Sequence, residues 1–305
     1  MKSIVTARDL CKKFNSFTAV DRVSFDIRPG ECFGFLGPNG AGKTTTVRMI
    51  HCVSPLTSGT LSVDGLPAHI DNREIKKMIG VIPQEISLDS DLTVYENLMV
   101  FARFFDIPRA RARERIDELL AFIELETRKK SRISHLSTGM KKRLQIARAL
   151  INQPRIIIAD EPTTGLDPQV RHMIWQRLRQ LKKGGVTLVL TTQYMEEAEQ
   201  LCDRIVIMHQ GRILRTSVPA KIIEEEIGRE VVEIRAAPSR DARLIRLLAP
   251  LSSGHERVGD TLYFYCRDGR ELRKKLADLD LPGILYRPAS LEDVFLKLTG
   301  RSLIE

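Results

Sequence analysis

The sequence predicts an α/β chain in two parts. A mixed, mostly parallel sheet with helices on both faces and a helical insert comes first, and a smaller α+β sandwich follows. Three observations carry this. A glycine-rich loop joins a strand-like apolar run to a helix-like stretch, apolar runs alternate with helical stripes between residues 155 and 208, and the runs beyond Pro219 have the order βαββαβ. A length of 305 residues suffices for two cores, since domains usually run to roughly 100–200 residues.

Residues 4–6 and 19–27 read as strands, Arg28-Pro29-Gly30 as a turn, 31–36 (ECFGFL) as a further apolar run and 44–53 as a helix. Residues 59–63 make another strand, closed by an Asp64-Gly65 hairpin turn. From 92 to 151 the period becomes helical, with one stripe at Leu119, Leu120 and Ile123 and a second at Leu144, Ala147, Leu150 and Ile151. A helical insert is therefore expected at about 86–151, inside a first domain of residues 1–218. Strand character returns at 155–159, followed by a helix with Val170, Ile174, Leu178 and Leu181 on one face, which Gly184-Gly185 stops. Strand 186–191, helix 195–202, strand 204–208 and a turn at 209–212 complete the α/β pattern.

The second domain, 219–305, reads as strand 231–236, helix 240–248, strands 255–258 and 261–266, helix 270–279, strand 284–287 and a closing helix 291–298. That is the order of a ferredoxin-like sandwich. It carries no glycine loop or catalytic cluster, which leaves dimerisation, packing and ligand sensing open as its role.

Composition narrows the class. Forty-three per cent hydrophobic and 29% charged residues describe an ordinary globular protein. The longest apolar runs fall far short of the roughly 18 residues that would suggest a membrane span. MKSIVTARDL has no charged head, apolar stretch and cleavage site of a secretory signal, so a cytoplasmic chain is expected. Cys11, Cys32, Cys52, Cys202 and Cys266 are scattered without C-x-x-C spacing, which argues for buried reduced thiols and against a disulfide framework or zinc site. The net charge of +9 is spread along the chain, with local clusters at 109–115 and 128–132 that have no interleaved aromatics. It reads as solvated helix faces compatible with an anionic membrane surface, and no nucleic-acid partner is expected.

Gly37, Pro38, Asn39, Gly40, Ala41, Gly42, Lys43 and Thr44 spell GPNGAGKT, a match to G-x-x-x-x-G-K-[ST] between strand and helix. The glycines free the backbone to turn successive N–H groups around phosphate oxygens, and the helix start adds its dipole. Lys43 supplies a cation to the terminal phosphates and the Thr44 hydroxyl a magnesium ligand, which points to a nucleoside triphosphate as ligand. The apolar strand 156–159 ends in Asp160-Glu161, two carboxylates suited to hold magnesium and to polarise an attacking water, respectively.

These residues, together with Gln84, Leu136-Ser137-Thr138-Gly139-Met140, Gly165-Leu166-Asp167 and a strand ending at Gln193, resemble the ATP-binding cassette of ABC transporters over about residues 2–218. LTTQYMEEAEQLCDRI and the closing ASLEDVFLKLTGR resemble the branch that exports drugs and lipo-oligosaccharides, as in daunorubicin-resistance and nodulation-factor exporters. The resemblance implies an ATPase with ATP and Mg²⁺ as cofactors, working as a homodimer or cassette heterodimer. It would energise a separate integral-membrane permease from the inner face of the membrane. It implies ATP gripped by the loop from Gly37 to Thr44 with Thr45 of one copy and by Ser137 and Gly139 of the other, with Phe14 on the adenine. It also implies Thr44, Asp160 and Gln84 at magnesium, Glu161 and Gln84 at the attacking water, and Asp167 linking the two sites. Lys141, Lys142 and Arg143 are expected either to oppose the helix dipole until a triphosphate arrives or to be solvated surface.

Two positions depart from the family pattern. Thr138 stands where a glycine is usual, and Gln193 stands where a histidine would contact the γ-phosphate. Glutamine donates a hydrogen bond but neither carries a charge nor relays a proton, so slowed hydrolysis is expected. A nucleotide-sensing regulator of very low ATPase activity stays open beside the transport ATPase.

Overall fold

The computed structural model describes residues 2–299 apart from 71, 238, 240, 278, 280 and 282. The chain divides into two units, residues 1–216 and 217–305.

In the first unit, β1 (Val5–Phe14) and β2 (Phe17–Ile27) form a long hairpin, and β3 (Cys32–Leu36) runs into the glycine loop and α1 (Lys43–Ile50). Next come β4 (Ser58–Val63), β5 (Leu66–Pro67), a short α2 (Arg73–Met78) and β6 (Ile79–Ile82). The insert supplies α3 (Val94–Phe104), α4 (Arg109–Phe122) and α5 (Thr138–Ala149). The α/β pattern resumes with β7 (Ile156–Asp160), α6 (Pro168–Lys183), β8 (Thr187–Thr192), α7 (Met195–Leu201), β9 (Arg204–His209) and β10 (Arg212–Ser217).

The mixed sheet resolves into two. One, in the order β2-β1-β4-β5, is antiparallel; the other runs β10-β9-β3-β8-β7-β6, with β9, β3, β8, β7 and β6 mutually parallel. All five residues of β3 are buried, as befits a central parallel strand covered on both faces. β1 alternates buried Val5, Ala7 and Leu10 with exposed Arg8 and Asp9, the pattern of a sheet with one wet face. It runs eight residues beyond the expected 4–6, a length masked in the sequence because three register shifts against β2 break the two-residue period. Phe25 of β2 packs edge-on against Phe35 of β3, with ring centroids 5.1 Å apart, and so joins the two sheets. Burying each such ring is worth about 1.5–3 kcal/mol.

The second unit contains α8 (Pro219–Glu226), β11 (Glu230–Arg235), α9 (Asp241–Leu248), β12 (Gly254–Val258), β13 (Thr261–Cys266), α10 (Arg270–Ala277), β14 (Ile284–Pro288) and α11 (Leu291–Thr299). Its sheet has the order β12-β13-β11-β14 with every pair antiparallel, so each helical crossover skips one strand, as the ferredoxin-like reading requires. Val232 and Ile234 lie opposite Phe264 and Leu262, and this face buries Leu244 and Leu248 of α9 and Leu272 and Leu276 of α10. Helix α8 has no counterpart among the elements expected from the sequence. Residues 240 and 278 of the expected helices, and 300–301 of the closing motif, lie outside the described residues.

No helix among the described residues is long and apolar enough to cross a membrane. The five cysteines are free and buried.

Candidate active site

The loop between β3 and α1 is shaped by its glycines in two ways. Gly40 and Gly42 have φ of 78° and 98°, in the left-handed region, and a Cβ on Gly42 would lie 2.5 Å from the carbonyl oxygen of Ala19. Gly37, expected to serve the same end, is not left-handed. It is required because a Cβ there would come within 2.2 Å of the Met208 carbonyl oxygen on β9. No side chain caps the start of α1 and no acidic residue occupies its first turn, which leaves the positive end of the helix to an anion. Lys43 is buried, and its Nζ donates to the carbonyls of Gly37 at 2.9 Å and Pro38 at 3.0 Å and lies 3.4 Å from Glu161 Oε1. Burial lowers the Lys43 pKa, with Glu161 pulling the other way.

Strand register brings the carboxylates to this loop, because β7 pairs with β6 on one side and β8 on the other, with Asp160 opposite Thr191. Asp160 Oδ1 accepts from the Thr44 hydroxyl at 3.0 Å and from the Thr191 hydroxyl. Glu161 is 4% exposed and has φ of 45°, an uncommon conformation for a residue with a Cβ. It is held there by its N–H, which donates to both the carbonyl and the hydroxyl of Thr191 at 3.1 Å. Its Oε2 accepts from Gln84 Nε2 at 3.0 Å and from the Thr164 hydroxyl at 3.2 Å. A cleft of about 340 Å³ is lined by residues 39–45, Gln84, Glu161, Phe14, Phe17 and Ala19. Phe14 and Phe17 are 50% and 63% exposed, with the Lys12 ammonium 4.8 Å from the Phe14 ring centroid.

Ser137, Gly139 and Asp167 do not line this cleft and form a second cluster. Ser137 caps α5, accepting from the Met140 N–H at 3.3 Å, and Asp167 caps α6, accepting from the Val170 N–H at 2.9 Å. A Cβ on Gly139 would meet Val170 side-chain carbons at 3.0–3.1 Å, so the two helix starts adjoin. Ser137 and Thr138 are exposed. Thr138 therefore does not crowd the cleft of its own chain. Gln193 is half-buried in the bend after β8 and is not among the cleft-lining residues.

Two of the three basic residues expected at the tip of α5 are engaged with backbone carbonyls. Lys142 is buried, which lowers its pKa, and it donates to the carbonyls of Pro83 at 3.2 Å and Gln84. Arg143 donates to the carbonyls of Ile123 at 3.0 Å and Glu124. Neither is a solvated cation facing an anion site, which corrects the expectation for both. On the same helix Gln145 donates to the Glu85 carbonyl at 2.7 Å and Arg148 to the carbonyl and hydroxyl of Ser87. Residues spaced three apart thus strap the 83–87 loop to one face of α5.

Sequence reasoning also missed Phe17, Thr164 and Thr191. Phe17 mirrors Phe14 across the Asn15-Ser16 turn, a signal that was available. The two threonines look like ordinary β-branched residues until their partners are known.

The site suits a magnesium nucleotide. Its oxygen donors are a hydroxyl and a carboxylate, and no group of three or more His, Cys, Asp or Glu among the described residues makes a cage of its own. Magnesium is usually held by one or two carboxylates together with substrate phosphates. A parallel sheet, a phosphate loop and a strand-end carboxylate pair define a phosphate-loop nucleoside triphosphatase.

The ABC transporter family model matches residues 20–164, and the model for the C-terminal domain of the nodulation factor export protein NodI matches residues 241–300. The Nod factor export ATP-binding protein I of Cupriavidus metallidurans is 44% identical over 99% of both chains. That of Paraburkholderia xenovorans is 47% identical over 96% of this chain and 95% of its own. Among solved structures, cbiO1 from Clostridium perfringens, part of the ABC transporter complex cbiONQ, superposes with a TM-score of 0.68 at 28% identity. The match covers 74% of this chain and 92% of that one. A dimeric ATP-binding cassette in a post-hydrolysis state with ADP and Pi bound has a TM-score of 0.64 at 31% identity over 70% and 98%. The chain belongs to the ATP-binding proteins of the ABC transporter family and is an ATPase.

Proposed function

We propose that the chain is the ATP-hydrolysing subunit of a Nod factor-type lipo-oligosaccharide exporter, paired as a homodimer and acting through a separate permease at the inner face of the membrane. The observation that carries the catalytic half is the Glu161 carboxylate, buried in the cleft between Gln84 Nε2 and Lys43 Nζ. Glu161 takes the proton of the attacking water as general base and Gln84 orients that water. Lys43 and the loop N–H groups of residues 39–45 bind the phosphates, while Phe14 and Phe17 offer faces to the base. Thr44 and Asp160, with Gln84 nearby, would hold magnesium, which would supply charge neutralisation at the phosphates.

Ser137 and Gly139 bind the nucleotide held by the other copy, and Asp167 lies at the junction. The Ser137 oxygen accepts from Met140, which leaves its proton free to donate to a phosphate. A groove of about 350 Å³ between β6 and α3, lined by Val53, Ile79, Pro83, Phe101 and Phe105, supports docking of the permease beside the Gln84 loop. Relatives that carry the Nod factor export name over 95–99% of their own length support the cargo class.

The test is Glu161→Gln in the full chain. Turnover should fall by roughly 10²–10⁴ while ATP stays bound and the cassettes pair in gel filtration. Turnover at the parent level would remove Glu161 as base, and a strict monomer that loses its nucleotide would remove the dimer.

A further inference from the structure

Behind the catalytic carboxylate lies a second glutamate that none of these roles uses. Glu197 of α7 is wholly buried, and its Oε1 accepts from the Thr163 hydroxyl at 2.7 Å and from the Trp175 indole N–H at 2.9 Å. Its Oε2 is buried without a hydrogen-bond partner. Burial raises its pKa, with the hydrogen bonds from Thr163 and Trp175 and the charge of Arg171 acting in the opposite direction.

A half-satisfied buried carboxyl is a costly way to fill a core position. What it adds over an apolar side chain is the connection it makes. Thr163 belongs to the turn that follows Glu161, and its neighbour Thr164 donates to Glu161 Oε2. Trp175 lies on α6, two turns from the Asp167 cap. One carboxyl group thus joins the turn that holds the Glu161 side chain to the helix that begins at Asp167.

We propose that Glu197 is a positioning residue for hydrolysis: by anchoring Thr163 it fixes the 162–164 turn so that Thr164 holds the Glu161 carboxylate beside Gln84. The proposal rests on Glu161 as base. It makes the geometry of that base, and not its affinity for nucleotide, depend on a hydrogen bond one layer behind the cleft.

Thr163→Val removes the donor with little change of shape, Thr163→Ser restores it, and Glu197→Gln keeps an acceptor in a neutral side chain of the same size. Steady-state ATPase and thermal melting of the full chain should show kcat of Thr163→Val reduced by about 10-fold or more, since small misplacements of reacting groups carry large rate penalties. Its KM for ATP should stay near the parent while its melting point falls modestly for the lost buried hydrogen bond, and Thr163→Ser and Glu197→Gln should retain most of kcat. An unchanged kcat in Thr163→Val, or a KM that rises in step with the loss, would overturn the positioning role. Measured alongside, Glu161→Gln separates the two readings. A dead Glu161→Gln with an unaffected Thr163→Val sinks this proposal alone, whereas an active Glu161→Gln sinks the assignment beneath it.

Discussion

Gly42 combines a left-handed backbone with the close approach of the Ala19 carbonyl, so alanine is excluded on two counts. The conformation alone costs about 1–2 kcal/mol for a residue with a Cβ. Gly42→Ala should therefore lower the melting temperature and abolish ATP binding, both readable by calorimetry. At Gln193 the expected change is a gain: histidine adds a titratable donor where glutamine has a neutral amide, and Gln193→His should raise kcat by roughly tenfold. An equal or lower kcat in a phosphate-release assay would show that the amide already suffices. Residues whose chemistry shows in their type and spacing, such as Lys43 and the Asp160-Glu161 pair, were legible in the sequence. Those that act through burial were not. Lys142 reads as a solvated helix charge, and Glu197 sits in the acid-rich run EEAEQ, where only α6 packing against α7 takes it out of water.

At the scale of elements, helix α5 does more than its apolar stripe suggests. Lys142→Met would leave the carbonyls of Pro83 and Gln84 without their donor, an expected loss of about 1–3 kcal/mol. Hydrogen exchange should quicken across residues 83–87 and leave the distant β9 unaffected.

The start of α11 offers a pH-dependent case. Burial pushes the Asp293 carboxyl up, but donors from Arg287 and Ser290 together outweigh it and hold the group below its ordinary value. A folded-state pKa below the unfolded one means stability that is present above the usual carboxylate range and lost as pH falls through the lowered value. Asp293→Asn should cost roughly 1.5–3 kcal/mol near neutrality, and the gap to the parent should narrow in melts recorded at pH values progressively below the ordinary carboxylate range. Periodic helices such as α6 were legible because one face is continuously apolar. β1 was hidden by its register shifts, and β6 by having four residues between a short helix and a proline.

For the whole molecule, the two-part organisation follows from two separate apolar clusters, one around Phe25, Phe33 and Phe35 and one around Val232, Phe264 and Leu272. We expect a chain ending at residue 218 to unfold cooperatively and to bind ATP as the full chain does, with loss of binding counting against the proposed boundary. The split of the mixed sheet into an antiparallel and a parallel layer could not be read from the sequence, because strand partners many residues apart leave no periodic trace. The strapping of the 83–87 loop to α5 has a consequence for the transport cycle. Ser137 stands at the tip of that helix, so, where the permease docks on the loop as proposed, a pull by its cargo-laden form would shift the tip with little slack between. Thermodynamic reciprocity then requires that cargo strengthen or weaken ATP closure by the same factor with which ATP alters the hold on cargo.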